Sequence, residues 1–157
     1  TTTVDVVTES QTQTLSNKTL TAPVIGAATG TSLAATGAIT SSSATAGIGY
    51  ATGAGGAVTQ ATSKATGATL NTVTGAVTMN GAALAADTTV SFVLTNSAIA
   101  ATDAVVVLHE SAGTLGAYSF ASTAAAGSAT IGVHNNTPGS LSEAIVLRVV
   151  VIKSVNA

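Results

Sequence analysis

"EAIVLRVVVIK", residues 143–153, decides the fold class. Side chains alternate along an extended strand, which places Val149 and Val151, and with them Leu147, on the face opposite Arg148. The face that carries Arg148 is itself apolar, so the alternation is incomplete. A strand apolar on both faces is either central in a sandwich or covered by another subunit. The run is far shorter than the roughly 20 residues of a membrane helix and is interrupted by Arg148, so the chain is expected to be soluble.

Upstream of this stretch the same signature recurs. "AVTQAT" (57–62), "GATLNTV" (67–73), "AVTM" (76–79), "TTVSFVLTN" (88–96), "DAVVVLH" (103–109), "GAYSFA" (116–121) and "SATIGVH" (128–134) are β-branched runs bounded by Gly, Asn, Asp or Pro. With 143–153 they make eight short strands, the pattern of an all-β sandwich or barrel. An antiparallel, jelly-roll-like β-sandwich is therefore expected over 57–157. In "FVLTN", Phe92 and Leu94 face one side, and Val93 and Thr95 the other. "VTGAV" predicts a tight hairpin turning at Thr74 and Gly75, and "HNNTPGS" (134–140) a turn. Ala and Leu in "NGAALAA" (80–86) predict a short helical turn.

Residues 1–46 read differently. Large apolar side chains are sparse there and no periodicity persists, so the segment cannot bury enough surface to fix itself. It is either a disordered leader or an extended arm ordered against other chains, an alternative that suits its Thr and Val. "TVDVV" and "GAIT" become strands only if paired. Thr1 follows no basic or apolar leader and reads as a natural N-terminus left by methionine removal.

Composition narrows the function classes. Charged residues are 6% of the chain, against about 25% in ordinary soluble proteins. Lys18, Lys64, Arg148 and Lys153 are scattered, and the net charge is −2, so no basic stripe exists for nucleic acid. Cysteine is absent, which removes disulfide and thiolate chemistry. Aromatics are only 3%, so the core is a sum of small aliphatic contributions, of the kind that gains from a neighbouring subunit.

The motifs point away from catalysis. "GIGYATGAGG" (47–56) resembles a nucleotide loop, but its third glycine falls a residue late, strand follows where helix is required, and Lys64 lies well beyond it. A glycine-rich junction over 47–56 is the better reading. His109, Glu110 and His134 lack metal-ligand spacing, and surface or interface positions suit the two histidines. Asp87, Asp103, Glu110 and Glu143 are the candidates for paired carboxylates, yet Asp87 and Asp103 precede strands, where Asp fixes turns. The glycosylation-type triplets at 17–19 and 135–137 are too short to weigh, and no G-x-S-x-G elbow occurs. No catalytic, cofactor-binding or metal residue is assigned, and no cofactor is expected.

Several phrases carry a resemblance. "TQTLSNKTLTAPVIG" (12–26) is similar to a phrase recurrent in phage fibre and capsid-accessory proteins. "GIGYATGAGGAVTQATSKATGATLN" (47–71), "LTNSAIAATDAVVVLH" (94–109) and "GSLSEAIVLRVVVIKSVNA" (139–157) resemble a C-terminal β-rich module of such proteins. The chain thus resembles tailed-bacteriophage virion structural proteins. The resemblance implies a homotrimer located in the virion and assembled in the host cytoplasm, attached by its N-terminal part, with a projecting β-domain. It brings no catalytic residues. At roughly 3.3 Å per residue the arm, if fully stretched, spans on the order of 150 Å without a rigid shaft, which favours a capsid decoration or head-fibre protein over a tail fibre. The expected partners are copies of itself and capsid or other virion proteins, with no nucleic acid and no membrane. The alternative is a short tail-fibre or receptor-binding module that recognises a bacterial surface glycan, with Tyr50, Tyr118 and Phe120 as stacking candidates. A depolymerase would need two carboxylates held close together, and nothing in the sequence supplies them.

Overall fold

A computed structural model of the chain describes residues 35–156. Expectations for 1–34, including the "TVDVV" strand and most of the arm, lie outside the described residues. The chain divides into two units, Thr1–Ser41 and Ser42–Ala157. The described part of the first, which includes "GAIT", is exposed and carries no strand. The second holds eight strands: β1 (Gly55–Thr59), β2 (Ala68–Thr69), β3 (Thr74–Thr78), β4 (Thr88–Thr95), β5 (Ala104–Ser111), β6 (Tyr118–Ala125), β7 (Ser128–Asn135) and β8 (Val146–Ile152). No helix occurs among the described residues. The protein is all-β.

The strands form two four-stranded sheets. The first runs β1-β3-β8-β5 and the second β2-β4-β7-β6. Both are mixed, with β1 parallel to β3 and β2 parallel to β4, while the remaining neighbours are antiparallel. The purely antiparallel expectation fails at these two edges for a topological reason. From β1 to β4 the chain alternates between sheets, so each strand returns to its sheet pointing the same way as the one two before it.

The core lies between the sheets. Phe92 and Leu94 of β4, Ile131 and Val133 of β7, and Leu147, Val149 and Val151 of β8 belong to one buried cluster. Val93 points away and is about half exposed. Both facing assignments read from the alternation are therefore correct.

Three local expectations are corrected. The hairpin at Thr74–Gly75 does not exist, because both residues lie within β3 and Gly75 pairs with Gly56 of β1. A Cβ on Gly75 would stand 2.5 Å from the Gly56 carbonyl oxygen and 2.8 Å from a Leu70 methyl, so this glycine permits close packing rather than a turn. Among the described residues the hairpin joins β6 to β7 through Ala126 and Gly127, the latter at φ 74°. The helical turn over 80–86 is replaced by extended chain. Leu84 exchanges backbone hydrogen bonds of 2.9 and 3.0 Å with Leu141 and is buried in the core, and that burial outweighs the weak helical preference of alanine. Finally, β1 begins at Gly55, so the last two glycines of the expected 47–56 junction are strand residues.

Candidate functional site

The described polar side chains worth testing for chemistry fall into four groups. The first is an interior network at one end of the sandwich. Gln60, at the end of β1, is buried and donates from Nε2 to the carbonyls of Lys64 (3.1 Å) and Thr66 (2.8 Å), while its Oε1 accepts from the Asn80 amide at 3.0 Å. These bonds curl the 60–67 loop and turn Lys64 inward, leaving it 3% exposed. Its ammonium donates to the backbone carbonyls of Asn80 (2.6 Å) and Glu143. Burial pushes the Lys64 amine below the ordinary lysine range, partly offset by the Glu143 charge. No phosphate cradle surrounds it, because its bonds go to two loops of the fold.

Glu143 continues the network. Its carboxylate accepts from the Thr114 hydroxyl at 2.6 Å, the Thr114 amide at 3.0 Å and the Tyr118 hydroxyl at 2.8 Å. Those donors, the Thr114 hydroxyl foremost, hold it below the usual carboxylate range. Tyr118 is raised well above the ordinary phenol range by burial first and by the neighbouring carboxylate second.

The second group is Asp103, whose buried carboxylate accepts from the Ala100 amide at 2.7 Å, the Ser154 amide at 3.2 Å and Lys153. It closes the turn before β5 and ties down the segment after β8. The Ala100 amide, followed by Lys153, lowers its pKa. The third pairs Asp87 with His134, 3.2 Å apart, the imidazole also meeting Thr89 at 2.9 Å. Asp87 adopts φ 49° just before β4, so both aspartates do sit in turns. The fourth is Arg148 on Glu110, at a bulge in β5.

The four carboxylates are thus distributed among four different partners. His109 lies on β5 and His134 on β7, in different sheets. His109 meets the Ala112 carbonyl at 2.6 Å and stands edge-on to Tyr118 and Phe120, with centroids 6.3 and 6.4 Å away. Among the described residues no group of three or more His, Asp or Glu could hold a metal ion. The three stacking candidates do not form a platform. Tyr118 is buried in the core, whereas Tyr50 donates its hydroxyl to the Val151 carbonyl beside β8.

Two hollows mark the surface. One of about 190 Å³ is lined by residues 109–113 and Leu115, and two of its polar side chains, His109 and Glu110, are already bonded within the fold. The other, of about 460 Å³, is apolar and lined by Ile48, Gly49, Tyr50, Val150 and Ile152. No helix among the described residues is long and apolar enough to cross a membrane.

Among the described residues no buried side-chain nitrogen or oxygen lacks a hydrogen-bond partner, and the bonds join loops to strands. Sequence reasoning missed Gln60 and the inward turn of Lys64, since neither has a local signature.

A pH dependence follows from the two depressed carboxylates. A group whose folded pKa lies below its unfolded value contributes stability above the unfolded pKa and loses it as pH falls through the folded one. The urea midpoint is therefore expected to drop as pH falls below about 4, and Asp103→Asn with Glu143→Gln should flatten that slope. A wild-type midpoint unchanged by acid would contradict the assignment.

No family model, curated protein or solved structure matches this chain.

Proposed function

We propose that the chain is a non-enzymatic structural protein of a bacteriophage virion: a homotrimeric capsid decoration or head-fibre protein. Residues 1–46 serve as the attachment arm and 57–157 as the projecting β-domain. The observation that carries this reading is the use of the charged side chains. In a chain with so few of them, Lys64, Asp103, Glu110, Glu143, Arg148 and Lys153 all bond to strands, loops or one another. A catalytic or carbohydrate site keeps convergent polar groups available to its ligand, and here those groups hold the sandwich together. The burial of Tyr118 weighs against the glycan-stacking alternative. The sequence resemblance to phage virion proteins supplies the setting.

Localisation tests it. Antibody against the β-domain, or difference density in a virion reconstruction, is expected on the capsid shell. Density confined to the tail tip would replace this reading with the receptor-binding one, and absence from the particle would remove it.

A further inference from the structure

The outer faces of the two sheets differ in kind. On the second sheet the outward positions of β4 and β7 include Thr89, Ser91, Thr95, Ser128, Thr130 and His134, and the large apolar side chain among them is Val93. That face follows the usual rule for a sheet with one side in water. On the first sheet the register places Ala104, Val106 and Leu108 of β5 beside Ile152, Val150 and Arg148 of β8, all facing away from the core. Leu108 is 55% exposed and Ile152 52%. The described segment that reaches this face is Ile48–Tyr50, at the corner where the apolar cavity opens against Val150 and Ile152. Among the described residues nothing else covers it.

We propose that this outer face of the first sheet is where copies of the chain meet. The proposal rests on the self-association in the reading above and not on its virion setting. Three features select a second copy as the occupant. The first is charge. The cation of the face, Arg148, is paired with the anion beside it, Glu110, so the patch is electrically self-neutral. A copy of the same patch meets no like-charge repulsion there, and a strongly acidic or basic partner finds nothing to attract it. The second is shape. An exposed sheet face is matched by other sheet faces, three of which can close on one another about a three-fold axis, whereas a single extended segment covers only a line across it. The third is size. The four strands of this sheet, β1, β3, β8 and β5, at about 4.8 Å spacing and 3.3 Å per residue give roughly 400 Å² in plan. Side-chain relief and the Ile48–Tyr50 rim bring this nearer the roughly 800 Å² per partner of a standard interface.

The test compares charge on the two faces. In native mass measurement the wild-type chain is expected as a multimer, and Leu108→Lys with Ile152→Lys as a single chain that keeps its β-type circular dichroism. Val93→Lys, an equally exposed substitution on the other sheet, should keep the wild-type mass. Because the chain has no cysteine, thiol labelling gives a second readout that requires no dissociation. In the wild-type assembly context, Leu108→Cys should react with a maleimide several-fold more slowly than Val93→Cys. A double variant that retains the wild-type mass, or equal labelling rates, would overturn the face while leaving self-association standing. A wild-type protein of single-chain mass would overturn both.

Discussion

Lys64→Ala is expected to lower the unfolding free energy by about 3–5 kcal/mol, among the largest single-residue effects in this domain. The substitution strips the only side-chain donor that the structure gives the carbonyls of Asn80 and Glu143. Each carbonyl left without a partner in this part-buried site costs up to about 1–3 kcal/mol. Deleting the buried methylene stem adds about 0.8 kcal/mol per CH₂. Relief from no longer burying an ammonium offsets part of this, which sets the upper bound. Lys64→Met keeps most of the stem and loses the bonds, so it should fall between the wild type and the alanine variant. Urea unfolding at fixed protein concentration measures both. A loss below about 1 kcal/mol for the alanine variant would mean that Lys64 does not bind the 80s and 140s loops together.

Asn135→Ala is the second large effect, expected at about 3–5 kcal/mol by the same unmade-bond reasoning. Asn135 ends β7 with a fully buried side chain. Its amide donates to the carbonyls of Leu84 (3.1 Å), Ala85 (3.0 Å) and Gly139 (2.8 Å), and its oxygen accepts from the Thr137 amide (3.0 Å) and hydroxyl (2.7 Å). One side chain thus organises both the 84–87 turn and the 135–140 loop. Asn135→Asp keeps the acceptor but presents oxygen to three carbonyl oxygens, so it should destabilise at least as much as alanine near neutral pH. If thermal unfolding finds the aspartate variant more stable than alanine, the amide is not the organiser.

These residues also mark how far the sequence could be read. Alternation decided what faces inward: Phe92 and Leu94 are buried and Val93 is not, because burial is a property of each strand's own pattern. The eight strand positions were legible for the same reason. Pairing was not, because it depends on distant partners. The parallel alignment of β1 with β3 follows from the route between sheets, and Gly75 looked like a turn because its neighbour Gly56 lies 19 residues away in sequence. Lys64 was equally hidden. Its carbonyl partners stand 16 and 79 residues along the chain, and nothing near it distinguishes a buried amine from a surface one. Asn135 was read only as part of a turn-rich stretch. Its role emerges once the 84–87 turn is brought beside it.

The feature first noticed in "EAIVLRVVVIK" has the widest consequence. A strand apolar on both faces was either central or covered by another subunit, and β8 is central in its sheet with one face in the core. Its other face, with Val150 and Ile152, is the one proposed above to meet a second copy. The proposed shared sheet face stands on that point. The most direct measurement is the native mass of the unmodified protein in solution. The expected result is three copies of the 14.9 kDa chain; a single chain that persists as protein concentration is raised would contradict it.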